Sequence, residues 1–259
     1  IRDRYKGPEM ARVMSFVMAV FILVPVIAPS IGQVILIFFN WEVIFWMFLI
    51  TALLVCIWFS IRLDETLLPE SRQPLSFRKI RNGMIEVLKT RTALGYTLAT
   101  GFLFSPFVGY LSSSQQIFAD GYGKKDEFPL LFASLALTFG VASLVNARLV
   151  YRYGLKRLCF ASVSVITGLS GIFLLGILGM DKMPPLWLFM GYMMIIFPGI
   201  GFLFGNLNAL AMEPLGHIAG VGAAMIGSLS SLISIPLGIL IAGVFNGTVL
   251  PLITGFSLC

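Results

Sequence analysis

Charged residues fall in clusters along this chain and leave seven long intervals without Asp, Glu, Lys or Arg: 13–41, 43–61, 92–119, 128–147, 158–180, 183–212 and 214–259. Each interval can cross a bilayer as an α-helix. Such a helix needs about 20 mainly apolar residues for a hydrocarbon core of about 30 Å, because every backbone polar group must be satisfied within the segment. The last interval holds 46 residues, and the turn signal Asn246-Gly247 near its middle divides it into one complete span and the start of another. The pattern predicts an all-α polytopic membrane protein with seven complete transmembrane helices and a truncated eighth.

Composition narrows the function. The 259 residues are 58% hydrophobic and 12% charged, about half the charged share of a soluble domain, which excludes a soluble enzyme and a nucleic-acid-binding module. The excess of 18 Lys and Arg over 12 acids then reports topology. Alternating crossings place 15 of the 18 on one side, in the segment Arg2–Arg12, the connection Arg62–Arg91 and the loop Arg148–Arg157. Only Lys124, Lys125 and Lys182 fall on the other. Basic loops mark the cytoplasmic face. Cys56, Cys159 and Cys259 are far apart and the chain has one histidine, so neither a metal site nor a disulfide framework is expected. The chain opens on Ile1, and Arg2–Arg12 leads into a stretch too long for a signal-peptide core. It reads as a fragment.

Residues 62–91 form the one long polar insertion. Pro69-Glu70-Ser71-Arg72-Gln73-Pro74 cannot be helical throughout. Beyond it, with Ser76 as candidate cap, Ile80, Met84, Val87 and Leu88 recur at helical spacing opposite Arg78, Lys79, Arg81 and Lys89. This describes a basic amphipathic helix on the inner leaflet, within a linker that separates two spans from five and a fraction.

No Asp, Glu, Lys or Arg lies inside a span, so no His-Glu-x-x-His motif, serine–base pair or acidic metal cluster can assemble there, and the chain is not expected to be an enzyme. A proton-coupled transporter usually keeps an ionisable group in the membrane; that group would lie outside these residues. Phe107, Tyr110, Ser112, Ser113, Ser114, Gln115 and Gln116 form a polar and aromatic run that is costly against lipid. Phe107, Tyr110, Gln115 and Gln116 are candidate walls of a substrate cavity. Asn206 and Asn208, behind Pro198, Gly199, Gly201 and Gly205, are further candidates. Residues two apart on a helix do not share a face, so at most one asparagine points into a cavity. The competing reading of both runs is hydrogen bonding between helices. Pro25, Pro29 and Gly32 permit a kink and close backbone approach. His217, beside Glu213, reads as a capping or interfacial residue.

Several motifs carry a family resemblance. Ala28-Pro29-Ser30-Ile31-Gly32-Gln33 resembles the Gly-Pro-x-x-Gly-Gly antiporter motif, with Ala28 and Gln33 in place of glycines. Trp41-Glu42-Val43-Ile44-Phe45-Trp46 is similar to a Trp-Arg-x-x-Phe-Trp helix start, and Asp64-Glu65-Thr66-Leu67-Leu68-Pro69 to a Glu-Thr-Leu signature. Ala147–Lys156 resembles a degenerate Gly-x-x-x-Asp-Arg-x-Gly-Arg-Arg loop in which Arg152, Gly154 and Lys156 match and Tyr151 replaces the Asp. Over its whole length the chain resembles the major facilitator superfamily, specifically its Bcr/CflA branch of drug:proton antiporters.

The resemblance implies a major-facilitator-type bundle lacking its first four helices, running from the end of the fourth helix into the twelfth. Residues 1–62 would be the remnant of the N-terminal bundle, 63–91 the cytoplasmic linker and 92–259 the C-terminal bundle. Pro25, Ala28, Pro29 and Gly32 would form the antiporter-motif helix, and Arg148, Arg152, Gly154 and Lys156 a cytoplasmic gate loop with cations near helix C-termini. The implied protein is a bacterial inner-membrane exporter of small drug-like molecules, monomeric, without cofactor, driven by the proton gradient, with its coupling carboxylate in the missing helices. An endogenous metabolite as cargo and a non-catalytic membrane subunit are the alternatives. A retinal protein would need a Schiff-base lysine in its last helix, and residues 214–259 contain none.

Overall fold

The computed structural model describes residues 24, 27–62, 76–179 and 183–259. Every element among them is helical. Pro25, the whole Asp64–Pro69 signature, Pro74, Lys182 and the first half of the 13–41 interval lie outside the described residues. The chain forms two compact units, residues 1–76 and 77–259.

In the first unit α1 spans Ile27–Phe38 and α2 spans Glu42–Arg62. Glu42 in the first turn and Arg62 in the last complement the helix dipole. No residue of α2 is buried; Trp58 and Ile61 are among its exposed side chains, an all-round apolar surface that suits lipid. Ala28 is exposed and Pro29 and Gly32 are half-buried on α1. A side chain at Gly32 would meet nothing within 4 Å, so no described neighbour makes the close approach that a glycine there permits.

In the second unit, α3 (Phe77–Lys89) precedes α4 (Arg91–Gln116), which ends in a π-helical turn, Ile117–Gly121. Then come α5 (Phe128–Tyr153), α6 (Leu155–Ile177), α7 (Leu186–Met212), a 3₁₀ turn (Glu213–Ile218), α8 (Ala219–Gly243) and α9 (Leu250–Leu258). Residues 186–243 are helical almost without break, but a straight helix of that length would run about 87 Å. The chain turns at Leu215, whose φ of −109° and ψ of 17° are not helical, so α7 and α8 are separate crossings. The Asn246-Gly247 turn is formed: Gly247 has φ +82°, and Asn246 Oδ1 accepts from Thr248 Oγ1 at 2.7 Å.

The α7 helix is the hub. It packs against α4, α5 and α6, while α8 lies along α4 and α9 along α6. Apolar surface gains nothing by moving from lipid to protein, so close packing must hold these helices together. Glycines supply it. A Cβ at Gly101 would lie 2.8 Å from Ile233 Cβ, and one at Gly238 2.7 Å from Val108 Cβ and 2.9 Å from the Ser105 carbonyl. On α7, Cβ atoms at Gly199 and Gly201 would lie 3.0 Å from Ile166 of α6 and 3.0 Å from the Phe139 carbonyl of α5.

Helix α3 packs on α8 and α4 through Gly83, which abuts Val221, and the fully buried Val87. The expected apolar stripe is therefore divided: Val87 serves the bundle, whereas Ile80, Met84 and Leu88 stay exposed. His217 lies 2.6 Å from Glu86 of α3, so its interfacial partner is Glu86, 131 residues away in sequence, and not the adjacent Glu213.

Candidate functional site

A recess of about 200 Å³ opens between α4, α7 and α8. Thr100 and Phe104 line it from α4, Phe204 and Asn208 from α7, and Gly227, Ser230, Ser231 and Ser234 from α8. The α8 residues recur at spacings of three and four, one helical face of small and hydroxylated side chains. Thr100 Oγ1 donates to the Tyr96 carbonyl at 2.8 Å, Ser230 Oγ to Ile226 at 2.6 Å, and Asn208 Nδ2 to Phe204 at 2.8 Å. These bonds to the helix's own carbonyls let polar groups sit in apolar helices and leave their oxygens as acceptors. The Ser231 and Ser234 hydroxyls make no hydrogen bond among the described residues.

The Phe104 and Phe204 rings, 4.9 Å apart between centroids, give the recess an aromatic wall. No lining residue is charged. Acceptors, two uncommitted hydroxyls and two ring faces suit a small neutral or cationic molecule with a flat apolar part. Among the described residues no group of three His, Cys, Asp or Glu side chains converges to hold a metal.

The candidates from the sequence are distributed around this recess rather than gathered in it. Asn208 lines it. Asn206, on another face of α7, is buried and exchanges two hydrogen bonds of 2.9 Å with Asn146 of α5. Phe107 stacks on Phe139 at 5.8 Å and meets Phe197 edge-on at 5.6 Å. Tyr110 is fully buried between Phe132 and Phe197, its hydroxyl without a hydrogen-bond partner among the described residues. Ser113 and Ser114 are buried, whereas Gln115 and Gln116 are exposed.

Helical geometry separates the two glutamines. Thr100, Phe104, Phe107, Leu111 and Gln115 fall within an arc of about 80° at 100° per residue, so Gln115 continues the face that lines the recess. Gln116 is turned about 100° further away.

At the gate segment the ten-residue loop suggested by the sequence is not a loop. The α5 helix runs to Tyr153 and α6 begins at Leu155, leaving Gly154 as the sole joint. Its φ of +80° and ψ of 156° lie in a region open essentially to glycine. Arg148 and Arg152 sit near the C-terminus of α5 as expected, with the Arg152 guanidinium 5.3 Å from the centre of the Tyr153 ring. Lys156 lies instead in the first turn of α6, where the positive end of the dipole does not favour a cation. The helices extend through the charged residues because long basic side chains reach water from a helix end, so charge alone does not terminate a helix.

Sequence reading missed Thr100, Phe104, Phe204, Asn146 and the α8 serines. The spacing of Gly227, Ser230, Ser231 and Ser234 was the available signal for the serines; nothing local pairs Asn146 with Asn206.

The family model described as "Major Facilitator Superfamily" matches residues 1–256. The chain is 27% identical to a protein named "Bicyclomycin resistance protein homolog" from Haemophilus influenzae, over 100% of this chain and 65% of that protein. It is 29% identical to "Uncharacterized MFS-type transporter YdgK" from Bacillus subtilis, over 90% of this chain and 58% of that protein. With "Multidrug resistance protein MdtL" from a Shewanella species it shares 24% identity, over 88% and 56%. The chain thus spans about three fifths of the length of these relatives.

Proposed function

The chain belongs to the Major Facilitator Superfamily, and from that footing we propose that it is part of a bacterial inner-membrane transporter that expels small drug-like molecules in exchange for protons. The observation that carries this reading is the uncharged recess with Asn208, Ser231 and Ser234 beside the Phe104–Phe204 pair. It can bind a compact molecule by ring contact and a few hydrogen bonds without forming or breaking a covalent bond. The names of two relatives, a bicyclomycin and a multidrug resistance protein, point the same way.

On this reading residues 1–62 belong to one helix bundle, 63–91 link it to the next, and 92–259 supply the second. The two bundles rock about a substrate held near the midplane. Gln115 joins Asn208 and the serines on the wall, with Phe107 and Tyr110 as the packed support behind it. Arg148, Arg152 and Lys156, hinged at Gly154, flank the cytoplasmic gate. The energy source is the proton gradient, with no cofactor, and the full-length transporter acts as a monomer. The recess lining carries no ionisable group, so proton coupling uses a residue outside it.

The test is expression of the full-length gene in bacteria stripped of their own exporters, with resistance measured across a drug panel and proton release measured in everted vesicles. Drug-dependent proton movement that Asn208→Ala weakens supports the reading. A second reading, export of a polar endogenous metabolite, is favoured by the hydroxyl-rich α8 face. Resistance to no drug, together with metabolite-driven proton movement, would select it.

A further inference from the structure

We propose that α3 is a docking surface for anionic lipid, with the Phe77, Ile80, Met84 and Leu88 side chains among the acyl chains and Arg78, Arg81 and Lys89 on the headgroup phosphates. Three sectors follow one another around this helix. Gly83 and Val87 face the bundle, where Gly83 abuts Val221 and Val87 is fully buried. At 100° per residue the next sector is Ile80, Met84, Phe77 and Leu88, all exposed, with Phe77 81% so. The third holds Arg81, Arg78 and Lys89, with the exposed Ile85 among them.

An exposed apolar strip alone would name no partner; the charge beside it does. Glu86 is the one acid on α3 and is engaged by His217 at 2.6 Å on the bundle side. Arg78, Arg81 and Lys89 have no ion pair among the described residues. The acid, itself partly exposed, is thus held by a partner on the bundle, and the charge that borders the apolar strip is positive. The location fits a bilayer surface: only Thr90 separates α3 from the start of α4, and α3 lies beside the turn between α7 and α8. It therefore sits at the level where two membrane crossings begin. An apolar strip bordered by cations at that level is the arrangement of an interfacial amphipathic helix. Each unpaired cation near an anionic surface favours it by roughly fivefold, and salt screens the effect.

The experiment uses the full-length protein, with its native tryptophans replaced by Phe and Phe77→Trp as reporter, in nanodiscs carrying brominated phosphatidylglycerol or brominated phosphatidylcholine at equal mole fraction. The expected result is at least twofold stronger quenching by the brominated phosphatidylglycerol. The excess should vanish in the Arg78→Gln, Arg81→Gln, Lys89→Gln variant while quenching by phosphatidylcholine persists. Should that variant fail to fold, raising the salt concentration on the reporter protein must remove the same excess. Equal quenching by both lipids, quenching by neither, or an excess insensitive to both substitution and salt would overturn the proposal. None of these readouts depends on what is transported.

Discussion

Asn146 of α5 and Asn206 of α7 face each other as a closed pair, each donating Nδ2 to the other's Oδ1 at 2.9 Å. The approach is possible because α7 presents Gly201 to the Phe139 carbonyl and Gly205 toward Asn146. Two amides that satisfy each other in an apolar bundle fix the rotation of both helices, since any slip leaves two polar groups without partners.

Replacing either member by Ala should lower stability by about 1 kcal/mol, with a coupling between the two of about 0.6 to 1.7 kcal/mol in a double-mutant cycle. Replacing both by Leu should cost less than the two single changes added together, because no orphaned amide remains. Thermal unfolding in detergent reads both. Strictly additive effects would remove the pair from the account of how α5 meets α7.

The α4–α8 seam depends on the absence of side chains. Gly238→Val would place its Cβ 2.7 Å from Val108 Cβ and 2.9 Å from the Ser105 carbonyl, and should destabilise by about 1 to 3 kcal/mol through overpacking. Val108→Ala should recover only a small part of the loss, since it removes Val108 Cγ1, also 2.7 Å away, and leaves Cβ in place. The Ser105 carbonyl cannot be removed, so full recovery would argue that α8 had shifted. Unfolding temperatures of the single and double variants decide.

Gly154 tests the joint between α5 and α6. With φ +80° and ψ 156°, Gly154→Ala should cost about 1 to 3 kcal/mol. Gly154→Asn should not rescue it, because asparagine tolerates left-handed helical angles and this ψ is far from them. An asparagine variant as stable as the glycine protein would show that the joint relaxes to another conformation.

Neither Gln115 nor Gln116 is among the residues that line the recess, but helical geometry separates them. In the full-length protein, Gln115→Ala should shift the resistance profile and Gln116→Ala should leave it unchanged at equal expression, because only Gln115 continues the face of Thr100 and Phe104. Asn208→Ala and Ser231→Ala should each weaken transport by roughly 5- to 10-fold, the loss of about one hydrogen bond. Initial rates of drug efflux are the measurement. A larger effect at Gln116 than at Gln115 would count against the assigned face.

The sequence alone determined that the chain is a set of membrane-crossing helices and where most of them lie, because satisfying the backbone in lipid is a demand each segment meets within itself. The turn at Asn246-Gly247 was visible because the positive φ of such a turn calls for glycine. Tertiary structure alone decided which polar residues face which neighbour. Asn206 and Asn208 look alike in the sequence, yet one is consumed by Asn146 and the other lines the recess, a difference set by the rotation of α7 against α5 and α8. Asn146, two residues before Arg148, carries no local mark of its partner. The basic segment around Gly154 looked like a loop because charge predicts contact with water, which a helix end provides equally well. Partner choice depends on helix rotation and on contacts between residues up to 131 positions apart, as for Glu86 and His217, and no local pattern carries that information.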